Sequence, residues 1–391
     1  MKAKKVLALA LSAVMTLSLL AGCGGTPAGS TAPSGTPTPS QSAGTPAPSG
    51  AAYTPKNGTT LKVALLVPGL LGDKSFFDAT NSAMDLIKSE LGAEVKTVEM
   101  GTDQAKWYPT FLDYCEDGSY DLILTVSDAV NDTLLQAAGE FPEQKFINVD
   151  ATMTDLPDNV YAMLAKMGEM SFLAGLVAGK KAEELGVNQI GFIGGLDIPG
   201  INEFLIGYID GAQHVNPDIK VAYSYVGSFT DPSKAKENAL IMYQDTSIIY
   251  TAAGASGLGV FDAAKQFVAK GDARFAIGVD SDQAEGLKAS DPDAANLIIT
   301  SAIKNIPQYT AEAVKRFTEG SIPWGTDEMM GLKENGVTIA KNEFYEKLLS
   351  AESRSYVDAE WEKVVSGEVT PIDTVGMSTD RVEEIRQAAK P

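Results

Sequence analysis

Histidine, cysteine and positive charge are what this 391-residue chain has least of, and each shortage removes a class of function. A single histidine, His214, leaves no room for most histidine-ligated zinc sites, and any Ser-His-Asp constellation would have to be built on that one residue. It sits in "GAQHVNPD", a polar helix end, where solvation or capping of the last carbonyls suits it better than general-base work. Lysine and arginine number 31 against 51 aspartates and glutamates, a formal net charge of −20. Nucleic-acid binding needs a basic stripe that neutralises phosphates, and none is present. The acidic balance serves solubility and keeps the chain from adsorbing to an anionic envelope.

The two cysteines are Cys23 and Cys115. Lys2, Lys4 and Lys5 precede an apolar run from Val6 to Ala21 that closes on "LLAGC", the form of a secretory signal and too short for a transmembrane span. Small residues before a closing cysteine resemble the bacterial lipobox. Residues 1–22 therefore read as a lipoprotein signal peptide, and Cys23 as the lipid-bearing first residue of the mature chain. Removing three lysines takes the net charge from −20 to −23. With Cys23 lipidated, Cys115 has no partner for an internal disulfide, so stability has to come from the core. From Gly24 to Ala52 there is no charged or aromatic residue and alanine is the only apolar type, a composition that cannot bury enough surface to fold. Residues 23–58 read as a disordered linker that holds the remainder off the membrane.

The remaining stretch of about 335 residues is more than one core comfortably serves, so two lobes are expected. Short apolar runs alternate with segments of helical period: "LKVALLV" (61–67), "DLILTV" (121–126), "KFINVD" (145–150), "QIGFIGG" (189–195), "IKVAYSYV" (219–226), "SIIYTAA" (247–253) and "ARFAIGVD" (273–280). Strands buried on both faces and joined by helices are the mark of parallel α/β sheets. Ser75 and Asp78, at capping-box spacing, predict a helix start directly after the first strand. Gly186 predicts the end of a helix with a small-residue face over 169–186. One α/β series precedes residue 167 and a second comes after it.

In such sheets ligands collect at the carboxyl ends of the strands. Asp280 ends a buried strand there, and one ionised carboxylate has lone pairs for two neighbouring ribose-type hydroxyls. Asp282, two positions on, reads as the cap of the next helix, which makes an acid/base dyad weak. The turn "GASGLG" (254–259) does not match a dinucleotide fingerprint, but lets a ligand approach backbone amides. "PGLLGDKS" (68–75) is not a P-loop, because Asp73 separates Gly72 from Lys74. Phe76 or Phe77 at the first helix, and Phe229 after a later strand, are rings that could stack on a planar ligand or simply pack in the core. Lys304, at a strand end, is either a ligand donor or a solvated surface charge.

In order along the chain, "GDKSFF", "KFINVD", "EMSFLAGLVAG", "IGFIGGLDIPGINEFLIGYIDGA", "YVGSFTDPSKAKENAL", "AAGASGLGVFDAA", "IGVDSDQ" and "TSAIKNI" make the chain resemble the basic membrane lipoproteins. Characterised members of that family include purine nucleoside receptors of ABC importers. The resemblance spans roughly residues 60 to 320. It implies a periplasmic-binding-protein type I fold, two Rossmann-like lobes with parallel sheets joined by a three-crossing hinge. The lobes would comprise residues 59–167 with 302–330, and 168–301 with 331–391. It implies stacking rings at Phe76 and Phe229, a carboxylate at Asp150, a turn glycine at Gly254, and Asp280 and Lys304 on the ribose. Phe77 stands where the family usually has asparagine, and Val67-Pro68 where it tends to have an acidic or amide pair, so sugar recognition is better supported than purine recognition. The expectation is a monomeric, lipid-anchored solute-binding protein on the extracytoplasmic face of the cell membrane. It would capture a nucleoside-like molecule for a permease, without cofactor, metal, nucleic acid or catalysis. The competing readings are a secreted nucleoside hydrolase, which would need a calcium-binding aspartate cluster or an acid/base pair, and a ligand-sensing ectodomain.

Overall fold

The computed structural model describes residues 51–391, so the expected signal peptide, the lipid-bearing Cys23 and the linker up to residue 50 lie outside the described residues. The packed body starts before residue 59, the point at which the linker is expected to end. The backbone N–H of Tyr53 donates to the Thr318 carbonyl at 2.8 Å, and its hydroxyl to Asp121 Oδ1 at 3.0 Å. Its ring lies against Phe317 with centroids 4.3 Å apart. The first aromatic after an alanine-only stretch is also the first side chain with enough apolar area to dock.

From there the chain alternates strand and helix: β1 (Lys62–Val67), α1 (Phe76–Leu91), β2 (Glu94–Glu99), α2 (Trp107–Asp117), β3 (Leu122–Val126), α3 (Asn131–Glu140), β4 (Lys145–Val149) and β5 (Val160–Ala165). A second series comprises α4 (Met167–Leu185), β6 (Gln189–Gly194), α5 (Pro199–Val215), β7 (Lys220–Tyr225), α6 (Pro232–Met242), β8 (Ile248–Ala252), α7 (Leu258–Val268), β9 (Phe275–Asp280), α8 (Gln283–Leu287), α9 (Pro292–Ala295) and β10 (Ile298–Lys304). Then come α10 (Ile306–Thr318), β11 (Asp327–Met330), β12 (Val337–Ile339), α11 (Glu343–Leu348), α12 (Ala351–Ser366) and α13 (Thr379–Ala389). Among the described residues no helix is long and apolar enough to cross a membrane.

Two six-stranded sheets result, ordered β11-β5-β4-β3-β1-β2 and β12-β10-β9-β8-β6-β7. Every pairing is parallel except β10 with β12. Alternate residues of each central strand enter different cores. On β1, Val63, Leu65 and Val67 face one, and Ala64 and Leu66 the other. On β8, Ile248 and Tyr250 oppose Ile249 in the same way. A continuous apolar run is therefore what a central strand covered on both faces requires.

The chain passes between the sheets three times: at Lys166, at Asn305, and between Met330 and Val337. One lobe boundary needs correction. Residues 302–304, expected in the first lobe, belong to the second sheet, because β10 stays paired with β9 as far as Asp280 and with β12 as far as Lys304. The stretch "WGTDEMMGLKENGVTIA" (324–340) supplies one strand to each sheet, β11 beside β5 and β12 beside β10. The small-residue face of α4 meets α5 so closely that a Cβ on Gly211 would fall 1.9 Å from the Phe172 carbonyl oxygen. His214, at the end of α5, is held by Glu360 of α12 at 2.9 Å rather than freely solvated.

Candidate functional site

Strands β1, β3 and β4 of the first sheet and β6, β8, β9 and β10 of the second all run parallel within their sheets, so their carboxyl ends gather polar residues on one side. Asp150 immediately follows β4, and Asp280 closes β9. Both take the left-handed backbone region, with φ of +54° and +64°. Aspartate is one of the few residues that enters this region readily, and the kink turns each carboxylate out of the strand path.

Lys304, the last residue of β10, lies between them. Its Nζ donates to Asp150 Oδ2 at 2.6 Å and stands 3.6 Å from Asp280 Oδ1. Asp150 also accepts from the backbone N–H of Ala165, where the chain leaves the first sheet, at 3.1 Å. Asp280 accepts at 2.6 Å from the hydroxyl of Ser75, which belongs to the first lobe. All three charged groups are buried. Burial pushes the Asp280 carboxyl up, against the pull of Lys304 and the Ser75 hydrogen bond. Burial acts on the Lys304 ammonium the other way, yet Asp150 and Asp280 together hold it above the ordinary lysine value. Two aromatic faces complete its surroundings, Phe76 at 4.9 Å and Phe204 at 5.1 Å from Nζ to ring centroid. Lys304 is thus not a solvated surface charge.

Of the residues expected to act together, Phe76, Asp150, Asp280 and Lys304 form one cluster that joins both lobes. Phe77 adjoins Phe76, with ring centroids 5.4 Å apart, and its ring covers Gly69 so closely that a Cβ there would meet it at 2.3 Å. Phe229 and Gly254 form a separate group in the second lobe. The Phe229 ring lies over Gly195, and its carbonyl accepts from Ser256 N–H of the turn that Gly254 opens with φ +54°. Asp282 is a cap, accepting from Glu285 N–H at 3.1 Å, and is also bound by the Asn342 amide.

Three participants carry no local sequence signal for the part they play. Ser75 is placed by its spacing to cap α1 with its side chain. Its hydroxyl instead goes to Asp280, and the cap is Asp73, which accepts from the N–H groups of Ser75, Phe77 and Asp78 at 3.0, 2.9 and 3.1 Å. Gln283, the first residue of α8, reaches the Lys74 carbonyl of the first lobe.

Glu203, on α5, is buried and accepts from the Gly168 N–H at the start of α4, next to a hinge crossing, at 3.0 Å. Burial pushes its carboxyl up to about 7 from 4.5, with Asp373 and Asp150 adding to the rise, and Gly168 N–H and Lys304 opposing it. A carboxyl raised on folding gives stability that is complete below its unfolded value and is lost as pH climbs from about 4.5 through about 7. Glu203→Gln keeps an acceptor for Gly168 but carries no charge, so its unfolding free energy should fall less steeply over that window, the gap from wild type reaching at most about 3 kcal/mol by pH 8. Urea unfolding at pH 5, 6, 7 and 8 checks this, and parallel profiles would contradict it.

Residues 60–372 match the Bmp family model, described as "ABC transporter substrate-binding protein PnrA-like". The nucleoside-binding protein BmpA of an ABC transporter in Lactococcus lactis is 31% identical over 276 residues, covering 69% of this chain and 76% of that one. A lipoprotein of Pyrococcus horikoshii is 30% identical over 346 residues, covering 86% and 77%. Among solved structures, a solute-binding protein of an Aeropyrum pernix ABC transporter system superposes with a TM-score of 0.71 at 27% identity, covering 84% of this chain and 99% of that one.

Proposed function

The chain belongs to the Bmp family of ABC transporter substrate-binding proteins, and from that premise we propose that it is a lipid-anchored receptor that captures a nucleoside-like solute between its lobes and passes it to the permease of an importer. The observation that carries this reading is the buried Asp150–Lys304–Asp280 cluster, assembled from strand ends of both sheets beside the Phe76 ring. Asp280 would accept from two vicinal hydroxyls while Lys304 donates to one of them, each charge-assisted bond contributing about 1.5–3 kcal/mol in a site closed to water. Phe76 and Phe229 would hold the planar base, and the backbone around Gly254 would approach the sugar. A relative described as nucleoside-binding supports this ligand class.

Base selection would be weaker than sugar selection. Val67 and Pro68, at the end of β1, are buried and bring no side-chain donor or acceptor, and Phe77 is apolar. Closure of the lobes would desolvate the ligand, and their opening at the permease would release it. The lipid-bearing Cys23 would keep a monomeric receptor at the outer face of the cell membrane, as "LLAGC" and a lipoprotein relative suggest.

Isothermal titration of the purified protein with inosine, adenosine, uridine, ribose and free hypoxanthine tests the reading. The expected result is 1:1 binding of one or more nucleosides at a Kd near or below about 1 μM, or roughly −8 kcal/mol, with ribose and free base far weaker. No free base should accumulate on long incubation. Absence of nucleoside binding would overturn the proposal, and release of base would turn it into the hydrolase reading.

A further inference from the structure

Gln283 is 1% exposed and uses both ends of its side-chain amide. Its Oε1 accepts from the backbone N–H of Val279, the residue before Asp280, at 2.9 Å. Its Nε2 donates to the carbonyl of Lys74, the residue before Ser75 in the opposite lobe, at 3.3 Å. A primary amide is suited to this bridge because it offers an acceptor and a donor a few ångströms apart. Gly278 leaves room for it, since a Cβ there would stand 2.7 Å from Gln283 Oε1.

The Lys74 carbonyl receives a second bond across the cleft, from Ser281 Oγ at 3.1 Å, and the Ser75 hydroxyl makes a third, to Asp280. Lys74 is fixed for this purpose: its φ of +54° is unusual for lysine, and its N–H is held by Asp78 Oδ2 at 2.9 Å. Three hydrogen bonds thus join two consecutive residues of the first lobe to a four-residue turn of the second.

We propose that Gln283 is a positioning residue that couples lobe closure to the aim of Asp280. It ties the strand carrying that carboxylate to the loop carrying Ser75, so the closed form is well populated before any solute arrives. A bond made only when the lobes meet shifts the open–closed equilibrium by its own free energy, and a ligand that needs the closed form then binds correspondingly tighter. The effect on affinity rests on the cleft being the binding site as proposed above; the effect on closure does not.

Glu is nearly isosteric with Gln. Gln283→Glu keeps the acceptor for Val279 N–H but aims a carboxylate at the Lys74 carbonyl, while Ser281→Ala removes the neighbouring crossing bond without adding charge. Small-angle X-ray scattering of the ligand-free proteins reads closure directly. Wild type should have a radius of gyration close to that of the inosine-saturated protein, and both variants a larger one, with melting temperatures little changed. Stopped-flow dissociation of inosine should be about tenfold faster in Gln283→Glu, with the association rate changing less. A ligand-free wild type that is fully open, or variants indistinguishable from it in radius, would overturn the proposal. If wild type binds no nucleoside but the variants still expand, the latch stands and the nucleoside reading falls. Expansion in Gln283→Glu but not in Ser281→Ala would mark loosening of β9 alone, and would overturn it too.

Discussion

Lys304→Met should cost about 3–5 kcal/mol of stability at pH 8 and eliminate solute binding, the largest effect expected of any single change in this protein. Methionine fills nearly the same volume and keeps the contacts with Phe76 and Phe204, so the loss isolates the charge. Without the ammonium, Asp150 and Asp280 remain buried, like-charged and close, with only one neutral donor apiece, Ala165 N–H and the Ser75 hydroxyl. Burial sets the sign of the pH dependence. Asp280 is already raised by burial against the pull of Lys304, and removing that pull raises it further. A carboxyl with a raised folded value gives stability that is present below its unfolded value and lost as pH rises through the folded one. The damage should therefore be greatest at pH 8 and smaller at pH 5, because the raised carboxyl takes up a proton more readily as pH falls. Urea unfolding at the two pH values checks this, and a loss of the same size at both would contradict it.

Strands covered on both faces are the ones most readily read from sequence, although the edge strand β7, "KVAYSY", is also legible through its β-branched and aromatic letters. β1, β3, β4, β8 and β9 leave no polar residue exposed mid-run, so contiguous apolar letters give them away. β2, "EVKTVE", gives no such signal, because it is the edge of its sheet and only half-buried. β11, "DEMM", is the opposite edge and equally silent. β5 is six buried apolar residues and was legible in principle. It runs into α4 with a single residue between them, so no turn residues separate strand period from helix period.

The candidate site divides along the same line. A carboxylate at the end of a buried run needs a partner, and that points to Asp280, whereas Asp150 is reached only through the family resemblance. Which partner answers it is a long-range fact: Ser75 meets Asp280 across 205 positions, and Lys304 meets Asp150 across 154. Local rules assign Ser75 to capping because a serine before a helix usually caps it. Asp73 outcompetes it by placing a carboxylate within reach of three N–H groups, which frees the hydroxyl to cross the cleft. Glu203 offers no signal at all, since a glutamate inside an amphipathic helix is ordinary until the packing of α4 buries it.

Asp280→Asn should weaken nucleoside binding by about 100-fold to 1,000-fold, the equivalent of two charge-assisted hydrogen bonds less the neutral ones that replace them, while shifting stability by only about 1 kcal/mol. Asparagine matches the shape, still accepts from Ser75, and tolerates the +64° φ that this position demands. Folding gains from no longer burying a carboxylate whose acidity is already suppressed by desolvation. It loses the attraction to Lys304, but that ammonium keeps its shorter contact with Asp150 at 2.6 Å. Alanine at the same place should be worse for the fold by about 1 kcal/mol, because a Cβ in the left-handed region is strained without a polar group to compensate. Both variants should lose the ligand to a similar degree. Calorimetry with inosine beside urea unfolding separates these quantities. A receptor whose asparagine variant binds as tightly as wild type has its sugar held elsewhere, whereas one that loses stability and affinity together was using Asp280 to hold the lobes rather than the solute.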